Sequence, residues 1–215
     1  MMYRQEPLSL QIFYGISSPW AYFGARRAVQ IGADAGVPVR LRPIRIIEAN
    51  GGIPLRTRPD ARQTYHSVEL ARWSHHLAMP LNLKPEFYPC RTIEPAAQAI
   101  IAVQKAGLNA FEFSFAIQRA LWAENRDIAD LSVLRDIAGA TSGEEGRALI
   151  VEAQPDDIVA EWHGNLAEAE RLGIFGTPTY VIGEEIFWGQ DRLDFVAREL
   201  NERRNAVENQ EETAR

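Results

Sequence analysis

Three short stretches carry side chains able to do chemistry. The first is "FYGISSPWAYFG" (13–24), where Ser17 and Ser18 precede Pro19 at the point where an apolar run gives way to a helical pattern. The second is "GIFGTPTYVIG" (173–183), with Thr177-Pro178 opening a β-favouring run. The third is "FWGQDRLD" (187–194), with Gln190 and Asp191 at another helix start. A helix N-terminus leaves backbone N–H groups unpaired at the positive end of the dipole, which favours an anion, a thiolate included. A serine there either caps the helix or turns its hydroxyl toward a ligand, and Ser18, directly before a first-turn proline, admits both readings. Pro178 reads locally either as a trans edge-strand proline or as the cis residue of a ligand-facing loop. Cis occurs in only about 5–6% of X–Pro bonds in folded proteins. Asp191 reads as a helix cap or as the partner of a ligand ammonium, with Gln190 or a backbone N–H taking a carboxylate. The arginines of "PLRTRPDAR" (54–62) read as a solvated loop or as an anion clamp.

Other reactive residue types carry less. His75 and His76 have no metal-spaced partners, His66 and His163 are isolated, and no metal site is expected. The single cysteine, Cys90, excludes an internal disulfide and a Cys-X-X-Cys pair, and reads as a partly buried spectator. The net charge of −6 argues against a nucleic-acid partner. No apolar run is long enough to span a membrane, and "MMYRQEPLSLQIFYG" lacks a signal pattern, so a cytoplasmic protein is expected.

The elements that must position these residues follow from periodicity. "LSLQIFYG" (8–15) predicts a strand, the segment from Pro19 to about Gly36 a helix, and "VPVRLRPIRI" (37–46) a second strand. The long Gly-, Pro- and Arg-rich stretch 47–63 predicts a functional loop. Helical spacing starts at Thr64 and runs to Ala78. After a proline-broken connector, only helical patterns follow to about Glu168, with "DLSVLRDIAGATS" and "EEGRALIVEA" as separate segments. Two short apolar runs, 179–182 and 186–188, then flank "GEE" as a hairpin, and "DRLDFVARELNERR" closes as an amphipathic helix. The order βαβ, helical block, ββα is that of an α/β thioredoxin-like fold with a large all-helical insertion. The expected division is 8–46 with 170–204 for the thioredoxin-like domain, 47–169 for the insertion, and a disordered tail over 205–215.

Together, "FYGISSPWAYFGARRA", "GIFGTPTYVIGEEIFWGQDRL" and the helical block between them resemble the 2-hydroxychromene-2-carboxylate isomerases, relatives of kappa-class glutathione transferases in the DsbA-like group, from about Leu8 to Arg203. "RQTYHSVELAR" is similar to the family's Lys-x-x-Tyr-x-x-x-Asp-Leu-x-Arg helix, with Arg62 for lysine, Tyr65, Glu69 for aspartate, and Arg72. "ANGGIPL" departs from the usual Gly-Asn followed by Pro-Pro and leaves Asn50 as the nearest asparagine. The resemblance implies a glutathione-dependent isomerase acting on a conjugated aromatic oxo-acid in aromatic-compound degradation, as a homodimer. Ser18 would face the sulfur. Thr177-Pro178 would pair with the cysteinyl backbone, and Gln190 and Asp191 would take the γ-glutamyl end. Asn50 and Arg62 are further candidates for contact. The same residues would serve a glutathione transferase or peroxidase, distinguished by net consumption of glutathione. A ligand-binding protein without turnover is a third reading. A thiol-disulfide oxidoreductase needs a cysteine at the helix start, where this chain has serine.

Overall fold

The computed structural model describes residues 8–213. β1 (Leu10–Tyr14) lies at the centre of a four-stranded sheet ordered β2-β1-β3-β4. β2 (Val39–Pro43) runs parallel to it, with Leu10 opposite Val39 and Tyr14 opposite Pro43. β3 (Thr179–Ile182) is antiparallel to β1, placing Phe13 beside Thr179. β4 (Glu185–Trp188) returns through the expected turn and pairs Trp188 with Thr179.

Strand alternation sorts the core into two faces. Ile12, Tyr14, Leu41, Tyr180 and Ile182 pack with α1 (Pro19–Asp34), α4 (Ala110–Glu124) and α7 (Leu193–Thr213). Phe13 and Val181 face the other way, onto Leu166 and Ala169 of α6 (Asp156–Arg171) and onto Ile44 and Ile174. The expected boundary at residue 169 therefore falls inside a helix that covers the sheet. α3 (Glu94–Lys105) joins α6 through Ala97, Ile101, Ile158 and Trp162.

Local signals explain the ends of α1. Ser18 caps its start and a proline occupies the first turn. Gly36, at φ +67, closes its end. The N–H of Gly36 bonds Ala33 O and that of Val37 bonds Gly32 O, both at 3.0 Å, the paired pattern of a glycine-terminated helix. α2 (Asp60–Leu77) begins before the expected Thr64, directly after Pro59, and buries only Leu70. The two segments expected over 130–153 are there as two helical stretches of α5 (Leu131–Ala148), meeting at a kink at Gly143, whose backbone is non-helical (φ 65, ψ −162); the second stretch stops at Ala148, short of the expected end at 153. α7 continues to Thr213, past the expected end near Arg204, through residues that mostly favour helix. The last two residues of the expected disordered tail, Ala214 and Arg215, lie outside the described residues.

Candidate functional site

Ser18 is the helix cap, the first of its two sequence readings, and its hydroxyl also makes a second contact within the protein. Its Oγ accepts from the Ala21 N–H at 3.3 Å as a helix cap. The same hydroxyl donates to the carbonyl of Thr177 at 3.3 Å, across 159 residues of chain. The turn that delivers it is closed by the Ser18 N–H on Gly15 O at 2.9 Å. Ser18 is 9% exposed and is therefore largely shielded from solvent. No hydrogen bond from Ser17 occurs among the described residues. A hydroxyl has one proton and two lone pairs. Ser18 directs its proton at a carbonyl that an anion seated beside it would replace as acceptor.

The Thr177–Pro178 peptide is cis, the rarer of its two local readings. The loop is braced on both sides. Thr179 Oγ1 donates to Gly176 O at 2.8 Å, and the Gly189 N–H donates to Pro178 O at 2.9 Å. The second of these ties the cis-proline loop to the segment that carries Gln190 and Asp191.

Gln190 and Asp191 diverge. Gln190 is 2% exposed and its amide oxygen accepts from Arg27, so the side chain points into the molecule. Asp191 stands out, its side chain about half exposed, 3.5 Å from the Arg192 guanidinium. Both residues open the helical turn Gln190–Arg192 that runs into α7, where the Arg192 N–H already donates to Gly189 O at 3.1 Å and the N–H groups of Gln190 and Asp191 lie ahead of that first bond. The turn depends on Gly189 at φ +106, a conformation side-chain-bearing residues rarely adopt.

Asn50 and Arg62 lie on the connecting segment and on α2. The Asn50 amide donates to the carbonyls of Ala169, Glu170 and Ile174 at 3.0–3.3 Å. It thereby satisfies the end of α6 and holds the loop that precedes α2. Arg62 is exposed in the first turn of α2; its backbone N–H donates to Pro59 O at 2.8 Å, and its side chain makes no hydrogen bond or ion pair among the described residues. On the same helix, Glu69 pairs with Arg72, and Tyr65 is exposed. His66 meets the Trp20 ring edge-on at 5.3 Å, which brings α2 to the start of α1. Burial, then the nearby Arg58, lowers the His66 pKa, favouring the neutral imidazole.

Residues that sequence reasoning missed surround these. Arg27 comes from α1, Tyr180 from β3 and Trp73 from α2. Burial lowers the Arg27 pKa, opposed by Tyr180 and Asp191, and burial raises that of the Tyr180 phenol. Tyr14 Oη and Ser114 Oγ share a buried hydrogen bond of 2.7 Å, closing a small cavity under α1 that Ala21, Gln118 and Pro178 also line. Arg27 sits in an "ARRA" run, indistinguishable by pattern from a solvated helix face.

Among the described residues no cluster of His, Cys, Asp and Glu could hold a metal ion, and no helix is long and apolar enough to cross a membrane. Cys90 is half-buried, and burial first, then Asp127, pushes its thiol up to about 11. The thiolate is the reactive form. Cys90 should therefore react with Ellman's reagent at pH 7.5 roughly a hundredfold more slowly than a free cysteine, whose pKa is about 8.5. A rate matching free cysteine would contradict the buried placement.

Comparison with known proteins agrees with this architecture. A family profile described as "DSBA-like thioredoxin domain" matches residues 9–201. The 2-hydroxychromene-2-carboxylate isomerase of Sphingobium xenophagum is 25% identical over 198 residues, covering 87% of this chain and 95% of that protein. Human glutathione S-transferase kappa 1 is 22% identical over 210 residues, covering 92% of each. The structure of the cytosolic disulfide reductase DsbM from Pseudomonas aeruginosa with GSH superposes with a TM-score of 0.62 at 22% identity, covering 94% of this chain and 98% of that one.

Proposed function

Because the chain belongs to the DSBA-like thioredoxin domain family, we propose that its serine-headed α1 and cis-proline loop form a glutathione site serving an isomerase of conjugated aromatic oxo-acids. The observation that carries this reading is the Ser18 hydroxyl, aimed at Thr177 O at 3.3 Å from the N-terminus of α1. The similarity to an isomerase and to a kappa-class glutathione transferase, and the GSH in the DsbM structure, support it.

The residues present fit glutathione by the chemistry of their donors and acceptors. Ser18 and the first N–H groups of α1 would hold a thiolate and lower its pKa from about 8.5. The backbone of Thr177, ahead of Pro178, would pair with a peptide backbone. The outward carboxylate of Asp191 would accept from an ammonium, and the N–H groups of Gln190 and Asp191 would face a carboxylate. The exposed guanidinium of Arg62 would meet the other carboxylate, and Asn50 would act by holding the loop before α2. Bound glutathione supplies a nucleophile that adds reversibly to a conjugated C=C bond, permits rotation and leaves again unconsumed. The chain's own part is to keep the sulfur ionised beside Ser18 and to exclude a competing protein thiol.

The similarity to the kappa-class enzyme favours a second reading, a glutathione transferase or peroxidase. A screen of conjugated aromatic oxo-acids by ultraviolet absorbance separates the two. Spectral change that requires glutathione while the thiol titre stays constant is the expected result. Stoichiometric loss of thiol with an electrophile or peroxide would replace isomerase by transferase or peroxidase. Saturable binding with no turnover would leave a ligand-binding protein.

A further inference from the structure

We infer that Arg27 and Gly24 of α1 are the residues that position the Gln190–Asp191 turn, so that one rigid helix sets both ends of the glutathione site. This rests on the glutathione reading above. Arg27 Nη2 donates to the Gln190 amide oxygen and, at 3.2 Å, to the Gln190 main-chain oxygen. It also reaches Phe23 O at 3.5 Å, and its guanidinium lies 5.7 Å from the centre of the Trp73 ring. Arg27 thus grips the turn by side chain and backbone together while α2 covers it from outside.

Gly24, one turn earlier, makes room for that grip. A Cβ there would stand 2.4 Å from the Tyr180 phenol oxygen, 2.9 Å from Gln190 Cβ and 3.6 Å from Gln190 Cα. The turn is seated against bare helix backbone, and only glycine permits the approach. Asp191 is the next residue, and its carboxylate direction follows from the seat of Gln190. Arg27 touches no ligand in this arrangement and is a positioning residue.

The test is calorimetry of glutathione and of cysteinylglycine, which lacks the γ-glutamyl group, on wild type and Arg27→Met. Methionine keeps the apolar stem and removes the grip. The expected result is at least tenfold weaker glutathione binding with less than twofold change for cysteinylglycine. Arg27→Lys should recover part of the loss. Equal weakening of both ligands, or of neither, would overturn the inference while leaving the glutathione reading standing. Wild type that binds neither ligand would overturn that reading. The anchoring itself is then read by amide hydrogen exchange, which should quicken over 190–193 in Arg27→Met with β1 unchanged. Unchanged exchange in the turn sinks the anchoring. Gly24→Ala supplies the same comparisons if Arg27→Met does not fold.

Discussion

Ser18→Ala should slow glutathione-dependent turnover at neutral pH about ten- to hundredfold. A hydrogen bond to a charged group is worth about 1.5–3 kcal/mol, and each ~1.4 kcal/mol is a factor of ten in rate. Only the thiolate form gains from the Ser18 proton, so its loss raises the thiol pKa of the bound ligand. The onset of activity should move to higher pH by about one to two units, one pKa unit being about 1.4 kcal/mol. The variant also loses its helix cap, which costs about 1 kcal/mol of stability. A melting curve recorded alongside separates this from the catalytic effect, since lost stability does not move a thiolate titration. Thiolate absorbance of bound glutathione against pH, in Ser17→Ala and Ser18→Ala, is the deciding measurement. A shift in the Ser17 variant alone would move the assignment to Ser17. No shift in either would leave the helix N-terminus as the sole stabiliser.

Phe113→Ala should cost about 3–5 kcal/mol of folding stability, the range for truncating a buried aromatic. Phe113 is fully buried in α4, in the cluster shared with Tyr14 of β1, Tyr22 of α1 and Tyr180 of β3. This cluster fastens the inserted helices to the sheet. Against a typical total of about 5–15 kcal/mol, the loss is a large share. Urea unfolding should show a lower midpoint with an unchanged slope. A loss below about 1 kcal/mol would mean that α4 contributes little to the common core.

The local features of this fold were legible because local rules govern them. Ser18 before Pro19 marks a helix start through interactions no longer than one turn. Gly36 marks its end for the same reason. The Gly183-Glu184 turn between two apolar runs marks the hairpin. The family resemblance nominated Ser18, Thr177, Pro178, Gln190 and Asp191, and the structure brings the first three together. The break at Gly143 was legible too: periodicity indicates two segments that part there, and the backbone turns out of helical geometry at that glycine.

The sequence by itself determined the kinds of chemistry available to this protein. Serine rather than cysteine heads α1, and Cys90 lies in a connector, so any thiolate at the α1 start must come from a ligand. The tertiary structure decided which of the candidate side chains are spent within the protein and which face outward. Gln190 is turned inward onto Arg27, and Asn50 gives its amide protons to the end of α6. Asp191 stays outward, and Ser18 meets Thr177 across 159 residues. Neighbouring residues cannot specify such pairings. They arise when α1, β3 and the turn before α7 pack on one sheet, and the donors and acceptors left inside must then find partners, because a buried polar group without one costs about 1–3 kcal/mol.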